Sequence, residues 1–94
     1  MFVVNEVTKV CQLNAWREES NMFDFYCEPI AICESFSQAS NFIDGYMQSK
    51  GYVEEFTEID SPTMTVFIED IYDYQDNTES FKQLCIQYVK YNLD

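Results

Sequence analysis

Ninety-four residues make a single domain, 1–94, with one modest core. The chain is 47% hydrophobic and 17% aromatic with two Gly and two Pro, which excludes a disordered acidic tail. Seventeen Asp and Glu against five Lys and Arg give a net charge of −12, which excludes direct binding to DNA, RNA or an anionic membrane, because such contacts begin with cations meeting phosphates.

Phe2 to about Leu13 predicts a first strand, since Phe2, Val3, Val4, Val7, Val10, Cys11 and Leu13 are mostly β-favouring. The polar run Arg17-Glu18-Glu19-Ser20-Asn21 predicts a turn. Met22 to Cys33 predicts a returning strand, in which Pro29 marks an edge, a bulge or a break. Ser35-x-x-Gln38 fits a capping box, and Phe36, Ala39, Ile43, Tyr46 and Met47 follow helical spacing up to Lys50 and Gly51, a C-terminal stop.

Tyr52 to Ile59 predicts a third strand, Ser61-Pro62 a turn, and Met64 to Tyr72 a fourth strand with Met64, Val66 and Ile68 on one face. Asp76-x-x-Glu79 is a second capping box. Phe81, Leu84, Cys85, Tyr88 and Val89 then predict a C-terminal helix ending near Leu93. The expected order is ββαββα, an α+β domain with two helices packed on one face of an antiparallel sheet. Glu34-Ser35-Phe36-Ser37-Gln38 and Glu79-Ser80-Phe81-Lys82-Gln83 share the pattern E-S-F-x-Q at each expected helix start. This raises a ββα pseudo-repeat, 1–50 and 51–94, beside the plainer account of two similar caps.

Little in the chain predicts catalysis. There is no His for acid–base work or to partner a nucleophilic Cys, and no Gly-rich phosphate loop. The four cysteines form no C-x-x-C pair and read as buried, reduced, structural thiols in a cytoplasmic protein. The segment MFVVNEVTKV has neither the basic region of a signal peptide nor a membrane-length apolar run. The carboxylates of DIYDYQDNTE lack the EF-hand pattern and read as solvated charge. The expectation is therefore no enzyme, no cofactor and no metal.

The functional signal is the stretch Tyr52 to Phe81. It holds nine carboxylates in thirty residues (Glu54, Glu55, Glu58, Asp60, Glu69, Asp70, Asp73, Asp76 and Glu79) and no Lys, Arg or His. Apolar residues run through it, so the charges are expected on ordered elements. On a strand, Glu54 and Glu58 would share one face with Glu55 on the other. If the second helix starts early, Asp73, Asp76 and Glu79 fall on one helical face. Such an array suits a strongly basic partner, although acidity can also serve solubility alone.

In size, charge and aromatic-rich composition the chain resembles the small acidic DNA-mimic proteins of bacteriophages, most closely the anti-restriction proteins of T-even phages (the Arn type). The resemblance implies a phage-encoded inhibitor of host defence, acting in the host cytoplasm. It would occupy the DNA-binding site of a restriction enzyme, CRISPR effector or nucleoid protein, and a homodimer would lengthen its charged track. The competing expectation is an antitoxin, immunity or adaptor protein that covers some other basic protein surface.

Overall fold

The structure, a computed structural model, describes residues 1–13, 19–60 and 62–90, and the side chains of all of these except 19–22. The elements are β1 (Phe2–Leu13), β2 (Glu19–Cys33), α1 (Phe36–Lys50), β3 (Glu54–Asp60), β4 (Thr63–Asp73) and β5 (Thr78–Tyr88). All five strands join one antiparallel sheet in the order β2-β1-β5-β4-β3. The order is thus ββαβββ, which corrects the expected ββαββα with two helices.

The expected C-terminal helix is instead β5, the central strand, bonded to β1 on one side and β4 on the other. Its apolar residues fall on both faces. Leu84 and Ile86 alternate with Phe81 and Cys85, a mixture that also satisfies helical spacing. Asp76 and Glu79 do not cap a helix. They belong to the β4–β5 hairpin, where the Asp73 side chain accepts from the Gln75 and Asp76 amides and Asn77 adopts φ 52. Asn77 also fixes this turn against the end of β1: Leu13 N–H donates to its carbonyl at 2.9 Å, and its side-chain amide donates to Leu13 O at 2.9 Å. With the second E-S-F-x-Q inside a strand, the argument for a ββα duplication is lost.

The one helix among the described residues forms where its caps say it should. Gln38 N–H donates to Ser35 Oγ at 3.1 Å, and the Gln38 side chain accepts from Glu34 N–H, one residue before the position a capping box uses. Gly51 closes the helix at φ 68, a left-handed conformation that costs a residue with a Cβ far more. Ala39 and Ile43 face the sheet, where they join Val4, Met64, Val66, Ile68, Leu84 and Ile86 in one core. Burying each large aliphatic side chain there contributes roughly 1.5–3 kcal/mol.

Pro29 sits on edge strand β2 at a register shift between Val4/Ala31 and Asn5/Pro29, so its missing N–H is needed by no neighbour. The extra residue there, Ile30, packs against the core. Glu19, Ser20 and Asn21 belong to β2 instead of to the expected turn. The rest of that turn (Arg17-Glu18), Ser61 of the second turn and the expected helix end at Leu93 lie outside the described residues.

Register divides the chain between two sheet faces. On the helix side lie the rows Ala31–Val4–Ile86–Met64–Ile59 and Glu28–Glu6–Leu84–Val66–Thr57. On the other side lie Cys27–Val7–Gln83–Phe67–Phe56 and Phe25–Lys9–Phe81. The helix packs against β1, β2 and β5 on its side. Among the described residues no element covers the opposite face.

Candidate functional site: the acidic half of the sheet

Two irregularities in register lie side by side on β3 and β4. Glu54 pairs with Ile68 and Phe56 with Phe67, leaving Glu55 as an extra residue. On β4, Ile68 pairs with Lys82 and Ile71 with Ser80, so Glu69 and Asp70 together stand opposite Phe81. The Glu69 amide donates to Val53 O at 2.8 Å and ties the two irregularities together. Adjacent strands are about 4.8 Å apart, so Glu54, Glu55, Glu69 and Asp70 share one small region. All four are exposed. Bulges typically re-aim side chains in this way.

The remaining carboxylates extend from this centre. Glu58 and Asp60 are exposed on edge strand β3, Asp73 ends β4, and Asp76 stands in the hairpin turn. The bulge at Glu55 corrects one expectation: Glu54, opposite Ile68, points to the helix side, while Glu58, opposite Thr65, points to the open side. A Thr57 Oγ1–Glu54 hydrogen bond agrees with that placement. A second correction concerns Glu79. It is 7% exposed, and the Tyr72 hydroxyl hydrogen-bonds to it, which raises the Tyr72 pKa above its ordinary value. Glu79 is therefore part of the sheet's packing and not of the exposed array. The expected helical face of Asp73, Asp76 and Glu79 does not form.

Lys9, Lys50 and Lys82 are placed elsewhere. Lys9 Nζ lies on the open face, 5.1 Å from the Phe23 ring centroid and 5.7 Å from that of Phe81. Lys50 lies over Tyr46 at the end of α1. Lys82 donates to Thr8 Oγ1 at 2.9 Å and stands 3.9 Å from Glu6, the one ion pair among the described residues. Like charges a few ångströms apart cost on the order of 1 kcal/mol per pair in bulk-like solvent, and more at low salt. The acidic cluster is thus held in place by the strands, against its own repulsion.

Spacing gives no hint of one polar cluster. Glu6 on β1 accepts hydrogen bonds from Tyr46 at 3.0 Å and Tyr52 at 3.1 Å, beside Lys82. Its members come from distant parts of the sequence, so only the sheet register assembles them. Burial, followed by the Glu6 hydrogen bond, pushes the Tyr46 phenol up to about 12, and burial and the Glu6 charge also raise that of Tyr52. These groups satisfy one another and tie the end of α1 to the sheet, leaving no free pair aimed at a substrate.

Of the cysteines, Cys11 is buried, Cys27 exposed, and Cys33 and Cys85 half-buried, all four as free thiols. This corrects the expectation that all are buried. Burial pushes the Cys85 thiol pKa up, away from a reactive thiolate. Among the described residues there is no cluster of three His, Cys, Asp or Glu side chains arranged to hold a metal ion. No described helix is long and apolar enough to cross a membrane.

Comparison with known protein families, with characterised proteins and with solved structures finds no match to this chain.

Proposed function

We propose that this protein is a non-catalytic acidic inhibitor that works as a DNA mimic in the cytoplasm of a bacterial host. In this reading it occupies the basic DNA-binding site of a host restriction, CRISPR or nucleoid protein, and is encoded by a phage. The observation that carries the reading is the exposed array Glu54, Glu55, Glu58, Asp60, Glu69, Asp70, Asp73 and Asp76, held on strands and a tight turn, with no Lys or Arg in the sequence from 52 to 81 that supplies it. A rigid single-sign array supplies the attraction and orientation that a phosphate-binding groove requires, with little ordering cost on binding.

A second reading is favoured by the distribution of this charge. Seventeen carboxylates over a 54 Å long axis give about one per 3 Å, roughly half the density of duplex DNA. Eight exposed carboxylates crowd onto β3, β4 and the β4–β5 turn, whereas Asp24, Glu28, Glu34 and Asp44 are scattered singly over β2, the bend before α1 and α1 itself, so no continuous track forms. That arrangement suits an antitoxin or immunity protein that plugs one compact basic site.

The test is capture from a bacterial lysate on the immobilised protein, with elution by duplex DNA or by buffer alone. A DNA-binding protein released only by DNA supports mimicry, whereas a partner that DNA cannot displace supports the plug. The companion variant replaces Glu54, Glu55 and Glu69 with Gln and Asp70 with Asn. Capture should fall at least tenfold, while any one of these changes alone costs little, because exposed charges act as a field. Equal capture by the folded quadruple variant would sink both readings.

A further inference from the structure

The sheet face that no described element covers is a second surface; it is buried at its Cys11–Glu79 end and meets the acidic array at Glu58 and the Glu69–Asp70 bulge. We propose that it is a self-complementary interface on which a second copy of this chain packs face to face, making a two-sheet sandwich with the helices outside.

The chemistry of the face points to this occupant. It presents Phe23, Phe25, Phe56, Phe67, Phe81 and Tyr72 from four different strands. Phe25 is 62% exposed. Phe56 and Phe67 are stacked at 4.2 Å, and Lys9 lies against Phe23 and Phe81, so several rings are already held in place. Aromatic enrichment with few charges is the composition of an interface core. A basic partner finds its complement in the acidic array, and an anionic partner finds only Lys9 here. A second copy brings both signs to this face, Lys9 on β1 and the Glu69–Asp70 bulge on β4, and so meets neither objection.

Size agrees. Five strands about 4.8 Å apart, followed from Val3 to Cys11 along β1 at about 3.4 Å per residue, span roughly 25 by 25 Å; with side-chain relief this approaches the roughly 800 Å² per partner of a stable dimer.

Symmetry supplies the charge complementarity. β5 is central, with two strands on each side. A two-fold axis along β5, in the plane between two stacked sheets, lays β1 over the partner's β4 and β2 over its β3. Lys9 shares a row with Phe81, and Phe81 stands opposite the Glu69–Asp70 bulge. Lys9 of each copy therefore comes over the Glu69–Asp70 bulge of the other, and the two copies of Phe81 meet at the axis. Cys27 faces the second copy's Phe56, and Val7 its Phe67. Glu79, one row further along the axis, is already engaged by the Tyr72 hydroxyl.

Sedimentation equilibrium over a concentration series tests the proposal. The expected mass is twice that of the chain, and added salt should strengthen association, because each copy carries −12. This sign is opposite to that expected for capture of a basic partner, so the two proposals fail separately. F25E should weaken self-association roughly tenfold or more by placing a charge in the interface core. I32E, at the far end of the same face and 70% exposed in the wild type, should do the same, and it decides the matter if F25E does not fold. I59E, equally exposed at 68% but on the helix side, should leave the dimer intact. A monomer at every concentration overturns the proposal. So does a dimer that survives the open-face substitutions or dissociates with I59E instead.

Discussion

Gln83 and Leu84 are neighbours on β5, yet their side chains leave opposite faces of one sheet. Leu84 is 0% exposed under α1, in line with Val66 and Glu6, whereas Gln83 stands between Val7 and Phe67 on the side that no described element covers. The two faces divide the tasks of the molecule. The helix side holds the packed aliphatic core and a satisfied polar cluster, so it accounts for folding. The open side keeps its large rings at the surface and contributes less to the stability of one copy than to what can be placed against it.

The largest expected effect that sharpens this contrast is Leu84→Ala, which should cost about 2–5 kcal/mol in urea unfolding through lost burial and a cavity. Gln83→Ala, one residue away, should change the stability of the isolated copy by about 0.5 kcal/mol or less. Similar losses at both positions would break the division.

Alkali should act on the helix side next. The Tyr46 phenol is held up to about 12 by burial and the Glu6 carboxylate. In the unfolded chain it ionises at an ordinary value of about 10. The folded state binds its proton more tightly, so this contribution is fully present below about pH 10 and is lost as pH rises through about 12. Glu6→Gln should lower the Tyr46 value, read by ultraviolet titration of the phenolate, and move the alkaline loss of stability with it.

The smallest loss expected on the helix side concerns the helix that covers the core. Ser35→Ala should cost about 1 kcal/mol of thermal stability by leaving the Gln38 amide without its acceptor, and Asp at this position should restore it. A null result would mean that packing against the sheet alone holds the first turn.

These contrasts also show where the sequence is readable. The extent of β1, the caps of α1 and the inward row Met64, Val66 and Ile68 can all be read in advance, because each depends on residues close in the chain. β5 cannot be read this way. Lys82, Gln83 and Leu84 favour helix intrinsically, and it is pairing on both sides that makes them a strand. The two E-S-F-x-Q segments make the same point. One begins a helix after a bend, and the other follows a tight hairpin that leaves it only a strand to pair with. For the acidic array, residue types and general location are legible, but a one-residue bulge at Glu55 separates Glu54 from Glu58, and nothing in a row of glutamates announces a bulge. The open aromatic face is hidden for a related reason: its rings come from four strands distant in sequence, and only the register of the sheet gathers them on one side.

The central place of β5 also bears on how the protein is made. β1, β2 and α1 leave the ribosome first, followed by the β3–β4 hairpin, and neither part bonds to the other in the finished sheet. Until residues 78–88 have been synthesised, β1 and β4 each present an unpaired edge to the cell. The last strand then closes both edges in one step across a long stretch of chain, a slow kind of contact to form. During that interval the same carboxylates that repel one another on β3 and β4 would also repel neighbouring nascent chains, giving this half of the polypeptide time to wait for its missing strand.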